Sequence, residues 1–300
     1  MSFIVRLAKL TQPDLVARAG ATKLPQLVVI PYSHYCDLAM WVLKDVPHVE
    51  YSFPPGLHVL PVLRLRVGGS KKNVSKSSAM FSGKKAAHAA GGTPTAVPVC
   101  ALPDGRVLVD SWQIADEFLQ QAGWSDDGLD EQLRDMLDRK IGPNSRALAY
   151  YYLFKPELSS QLYRLVTDGT GFVFRTFFWF SQPGFARRLT KMLKLDDAKV
   201  VQQIKDSLHA DFAQLGTLLE ALPTPFIAGQ KPGLADVALA TMAAPAVLPD
   251  LYCGGRYKEC FDQVYLHPDV RPEIDGYRNT AVGRHTLLVY KAMRLAKTSQ

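Results

Sequence analysis

The feature that most narrows the possible folds is a division along the chain. Every strand-like segment ends by residue 110, and nothing after "GWSDDG" (123–128) reads as a strand. "QLVVI" (26–30), behind Pro25, is the β-branched run of a buried strand, and "HVEYSF" (48–53) alternates as a second. "TAVPVCAL" (95–102) and "RVLVD" (106–110) read as two more, joined by "PDG", a hairpin turn signal. After the first strand, "DLAMWVLKDV" sets Leu38, Trp41 and Val42 on one helical face, with Asp37 early in the helix where the dipole favours an acid. "LHVLPVLRLRV" (57–67) reads as a short irregular helix interrupted by Pro61. "DSWQIADEFLQQ" (110–121) reads as a helix with Ile114, Ala115, Phe118 and Leu119 on one face. The rest of the chain is predicted as helices over about 130–153, 157–180, 184–194, 197–221, 234–247 and 271–296, each broken at Gly or Pro.

A chain of 300 residues exceeds one average domain, and this pattern places the boundary. We expect an N-terminal extension (1–25), an α/β domain (26–122) and an all-helical domain (128–300). Within the α/β domain, "GGSKKNVSKSSAMFSGKKAAHAAGG" (68–92) is rich in Gly, Ser, Lys and Ala with few anchors for a core, and reads as an exposed, mobile, basic insertion.

Hydrophobic residues at 47% against 21% charged residues exclude a disordered chain. The formal charge of +7 favours anionic partners, but the cations are spread along the chain with no nucleic-acid motif, so no nucleic-acid partner is expected. Cys36, Cys100, Cys253 and Cys260 form no C-x-x-C and no zinc spacing; a reducing, cytoplasmic setting and no metal are expected. The basic N-terminus admits organelle import, although a short extra helix or frayed arm is the preferred reading. "FVFRTFFWF" (172–180) falls short of the ~20 residues that span a bilayer and reads as a buried helix, and membrane contact is not expected.

The order β, α, β, variable connection, β, β, α resembles a thioredoxin-like unit, and three motifs carry the likeness further. "PYSHYC" (31–36) lies at the strand-to-helix turn where glutaredoxins carry C-P-Y-C and many glutathione transferases a Ser or Cys. "VPV" (97–99) matches the superfamily's cis-proline position, and "DSW" (110–112) its acid–serine pair. "FIAGQKPGLADVALATMAAPAV" (226–247) resembles the transferase helix start G-x-x-x-S-x-A-D, with Gly233 standing where the capping Ser or Thr would be, so that the reciprocal capping box with Asp236 is incomplete. Across roughly 26–295 the chain resembles the glutathione S-transferase superfamily, bacterial and algal members with S-H-Y-C at the first helix in particular. That resemblance implies a thioredoxin-like N-terminal domain, an all-α C-terminal domain, glutathione as co-substrate, a small-molecule electrophile and a homodimer.

It also implies a site. A glutathione thiol titrates near ~8.5 and only the thiolate is a good nucleophile. Ser33 would donate to that sulfur at the mouth of the helix that begins near His34, although a serine there also reads as a plain helix cap. Cys36, one turn later, is the other catalytic candidate and equally reads as a small core hydrophobe. Tyr32 and Tyr35 stand close enough in sequence to contact glutathione or activate it, whereas His34 reads as exposed. The Val97 backbone would pair with the tripeptide as an added strand does if the bond to Pro98 is cis; an edge-strand proline is the plainer reading. Asp110 would face the ligand's ammonium and Ser111 its γ-glutamyl carboxylate, while Asp110 with Gln113 also has capping-box spacing. A second-substrate pocket in an interdomain cleft would draw on Arg146 and Tyr150, with a structural ion pair as the plainer reading of Arg146. Two alternatives stay open: a Cys36-dependent thiol-disulfide or deglutathionylating reductase, and a non-catalytic binding or adaptor protein of the same fold.

Overall fold

The structure is a computed structural model, and it describes residues 11–68 and 96–298. The chain divides into two compact units, Met1–Ser125 and Asp126–Gln300. The first unit runs α1 (Leu15–Thr22), β1 (Gln26–Val29), α2 (His34–Val42), β2 (Val49–Ser52), α3 (Val59–Gly68), β3 (Val99–Ala101), β4 (Val107–Leu108) and α4 (Ser111–Phe118).

The sheet order is β2-β1-β3-β4, with β1 parallel to β2 and antiparallel to β3, and β3 antiparallel to β4. Gln26 pairs with Val49 on one side and Ala101 on the other. Because β1 is central, all four of its residues are buried, which is why it reads as a continuous apolar run and not as an alternation. β2 lies at an edge and alternates between half-buried and exposed. Alternate side chains divide between the two faces. Val28, Val99, Ala101 and Val107 pack with Leu15 and Ala19 of α1 and Val62 and Leu65 of α3. The helices α2 and α4 pack against each other.

The turn between β3 and β4 follows "PDG" as expected. Leu102 N–H donates to the Arg106 carbonyl at 2.9 Å and Gly105 N–H to the Leu102 carbonyl at 3.0 Å. Gly105 sits at φ +88°, a left-handed conformation that glycine adopts without a Cβ clash. Arg106 then bridges Asp104 (2.6 Å) and, with both guanidinium arms, Glu117 on α4. This pair is half exposed and contributes less than about 1 kcal/mol; it orients the hairpin more than it stabilises it.

The second unit is helical: α5 (Glu131–Met136) passes through a π-turn (Leu137–Ile141) into α6 (Gly142–Leu153), followed by α7 (Ser159–Thr167), α8 (Phe172–Met192), α9 (Ala198–Glu220), α10 (Leu234–Val247), α11 (Lys258–Tyr265), α12 (Arg271–Arg278) and α13 (Ala281–Thr298). The core is α10, buried at every position and packed against α6, α12 and α13.

Helix boundaries differ from expectation at three places, one of them the turn between α12 and α13, which the predicted 271–296 passes through. The predicted helix 157–180 breaks at 168–171, where Asp168 is extended and Gly169 takes φ +69°. The break predicted at Pro183 is absent, and α8 runs through it to Met192. A proline removes one helical donor, but here eleven residues precede it and nine follow, and the buried Phe178 and Gln182, both on its N-terminal side, anchor the helix. The expected basic insertion at 68–92 lies, beyond Gly68, outside the described residues, as do residues 1–10 of the extension.

Candidate functional site

Ser33 is the N-cap of α2, with extended backbone (φ −85°, ψ 126°), and its carbonyl accepts the first helical bond from Asp37 N–H at 2.8 Å. Its side chain makes no cap bond to its own helix. The hydroxyl instead hydrogen-bonds Cys36. The plain capping role of Ser33 is therefore not the one its side chain performs.

Cys36 is fully buried, and that burial outweighs the favourable bonds from the Ile30 backbone and the Ser33 hydroxyl; Asp37 and Glu50 add to the upward shift, and the thiol is pushed up to about 12. At neutral pH it stays protonated, and a buried thiol of that kind is not a nucleophile. The apolar shell that makes Cys36 a good core residue also withholds the thiolate, which weighs against a nucleophilic role. Cys100, Cys253 and Cys260 are also free and buried. We expect iodoacetamide to leave all four unmodified in the native protein and to label them once it is unfolded, read by mass spectrometry.

Tyr32 and Tyr35 flank the serine and are half-buried. His34 corrects the expectation of exposure: it is 3% exposed, and its ring lies 4.1 Å from that of Tyr35.

Pro98 follows a cis bond from Val97. Val97 itself is partly buried against the core beneath β3, one residue short of the proline that precedes that strand. Among the described residues neither its N–H nor its carbonyl enters a backbone hydrogen bond.

Asp110 caps α4, accepting from Gln113 N–H at 2.8 Å, and the Gln113 side chain reaches back to accept from Val109 N–H at 3.1 Å. The capping reading of this pair is what the structure shows, with the return bond shifted one residue from the standard box. Ser111, at the first helical position, is 2% exposed. Sequence reasoning treated Gln113 only as a cap partner, yet it is buried and shapes the same helix start.

In the second unit, Ser145, Leu148 and Tyr152 form the core face of α6, and Tyr152 is the tyrosine of the run 150–152 that points inward. Arg146 and Tyr150 lie one turn apart, half-buried, on another face, where Tyr150 stacks on Phe154 with centroids 5.4 Å apart. The start of α10 depends on Asp236. Its buried carboxylate accepts from Ile227 N–H (2.7 Å), Ala228 N–H (3.2 Å) and Gly233 N–H (2.9 Å), and His285 Nε2 stands 2.9 Å from Oδ1. Gly233 has no side chain to complete a capping box, and Asp236 supplies the returning half alone, as expected. Among the described residues no group of three or more His, Cys, Asp or Glu could hold a metal.

No family model and no curated protein matches the chain. Solved structures do. A glutathione S-transferase of Ceriporiopsis subvermispora, in complex with glutathione, matches 90% of this chain and 97% of its own at 13% identity, with a TM-score of 0.53. The chain has the glutathione transferase fold. A glutathione S-transferase of Sinorhizobium meliloti (14% identity, 89% and 99% covered, TM-score 0.43) matches less closely in space. So does a glutathione transferase family member of Pseudomonas fluorescens with two glutathione bound (12%, 95% and 99%, 0.41). Within the glutathione transferase fold, the small mixed sheet and the helical unit after it are the two parts the sequence pattern anticipates. At these identities the likeness extends to the fold, and each side-chain role rests on this chain's own geometry.

Proposed function

We propose that this chain is a glutathione transferase-like enzyme, in which the first unit binds glutathione and Ser33 stabilises its thiolate for attack on a small electrophile. The observation that carries the reading is the state of Ser33: it occupies a helix N-cap with a hydroxyl not used for capping. A sulfur anion beside it would meet that hydroxyl and the positive end of α2. Cys36 supports this arrangement while remaining protonated. The Ser33 contact lowers the thiol's pKa, the effect of a hydroxyl donating to sulfur, and a thiolate bound beside Ser33 would take over that donor. Cys36 is then a positioning residue for Ser33, and its burial weighs against the thiol-disulfide reductase reading.

The remaining glutathione contacts follow from the same unit. Glutathione would lie along Val97, whose backbone N–H and carbonyl suit strand addition, beside Pro98. Its γ-glutamyl end would meet Asp110, Ser111 and the N-terminus of α4. Tyr32 and Tyr35 would contact the tripeptide, and Arg146 and Tyr150 the electrophile. The reading extends to a homodimer and a reducing, cytoplasmic setting, in which four free thiols persist.

Retention on a glutathione-affinity column tests the binding, and an ultraviolet titration of the bound thiol tests the activation. Ser33→Ala should raise the bound thiol's midpoint by about one unit or more and lower kcat/KM by roughly 10–100-fold, as expected for a hydrogen bond to a charged group worth ~1.5–3 kcal/mol. Cys36→Ala should cost only a fewfold. Complete loss of activity in Cys36→Ser with Ser33→Ala unaffected would reverse these roles, and no retention at neutral pH would remove glutathione altogether.

A further inference from the structure

The segment expected to be a buried aromatic helix is the most exposed apolar surface among the described residues. α8 is anchored on one side only: Phe178 lies 6.3 Å from the Tyr163 ring of α7, and Gln182 Nε2 donates to the Ser159 carbonyl at 2.5 Å. Its outward side holds Phe172, Val173, Phe177 and Phe180, at 81, 82, 66 and 78% exposed. Helical spacing places these side chains on one ridge and continues that ridge, in the second half of the helix, with Arg187, Arg188 and Lys191. Trp179, 63% exposed, stands at the flank of the aromatic half. With Arg175 the helix carries four cations and no acidic residue.

Contiguous exposed aromatic groups of this size mark a contact surface. Two occupants compete, and charge separates them. A second copy of the chain would bring another uncompensated cationic helix, on a protein already at +7. An anionic lipid surface offers apolar depth for the phenylalanines, an interfacial level for Trp179 and phosphates for the arginines. We propose that the outward face of α8 seats the protein on an anionic phospholipid bilayer, with the helix lying in the interface plane. Among the described residues no helix is long and apolar enough to cross a membrane, so this is a surface association. It reverses the expectation from sequence that membrane contact plays no part.

The full-length chain sedimented with phosphatidylcholine vesicles, with and without phosphatidylserine, tests the inference. Pelleting is expected with phosphatidylserine, weakened by salt and accompanied by a blue shift of tryptophan emission. Phe177→Ser with Phe180→Ser should lower the partition coefficient by at least about tenfold. Arg187→Gln with Arg188→Gln should lower it by roughly tenfold or more, given about 1 kcal/mol per charge. All four positions are exposed, so circular dichroism should not change. Absence of pelleting overturns the proposal. So does undiminished pelleting of the double serine variant, which would place lipid binding elsewhere in the chain. Dissociation of a dimer by that variant, with no lipid binding by either form, would assign the face to a second copy.

Discussion

Asp236→Ala is expected to lower the stability of the protein by about 3–5 kcal/mol, the range for removing one partner from a buried charged network. The carboxylate is fully buried and holds the loop before α10 to the helix it starts. Alanine would leave the N–H groups of Ile227, Ala228 and Gly233 in the interior without acceptors. Asp236→Asn tests charge apart from shape, since its amide nitrogen would confront donors, and it should lose nearly as much. Burial acts to raise the acid's pKa, but the His285 ring and the backbone donors of Gly233, Ile227 and Ala228 prevail and hold it below the ordinary carboxylate value. A group lowered on folding stabilises fully above its unfolded value and loses that contribution as pH falls through the folded one. Acid unfolding of wild type should accordingly steepen below the usual carboxylate range, and the variants should lack that component in a denaturant series across pH.

Gly283→Ala should be at least as damaging. A Cβ built there would lie 2.0 Å from the Tyr277 carbonyl oxygen, 2.7 Å from Arg278 Cα and 2.8 Å from the Arg278 oxygen. All three are backbone atoms, so no flexible side chain can move aside. The glycine sits where α13 starts over the end of α12: Thr280 Oγ1 donates to the Tyr277 carbonyl at 2.7 Å and accepts from Gly283 N–H at 3.0 Å. Inserting a methyl group means reopening this turn, and overpacking of a side-chain core alone costs ~1–3 kcal/mol. We expect a loss above that range, seen as failure to accumulate folded protein or as a fall in Tm far exceeding that of Gly276→Ala. Gly276, also in α12, has nothing within 4 Å of the same construction and serves as the control.

These two positions show what can and cannot be read from residues alone. The capping role of Asp236 was legible because the helix start has a local signature, and β1 was legible because a central strand needs a continuous apolar run. Gly283 was not, because the atoms that exclude a side chain there belong to the preceding helix, and the predicted 271–296 passed through the turn. The site divides similarly. Ser33 and Asp110 stand at helix starts, which sequence marks well. Whether Cys36 is a nucleophile depends on how completely α2 closes over it, and His34 was misjudged because burial at a helix start is decided by what lies beneath. The largest misreading was α8. Aromatic composition measures how much a segment gains by leaving water, and says nothing of what, if anything, covers it.

The central helix of the second unit has a consequence for how that unit comes apart. Six of the fourteen residues of α10 are alanine and none faces water, so its neighbours rest close against its backbone on every side. A helix with a wet flank can fray from that flank. This one has no such edge, and its amide protons can meet solvent only when the helices around it leave together, which makes the second unit a single melting element with α10 the last part to exchange.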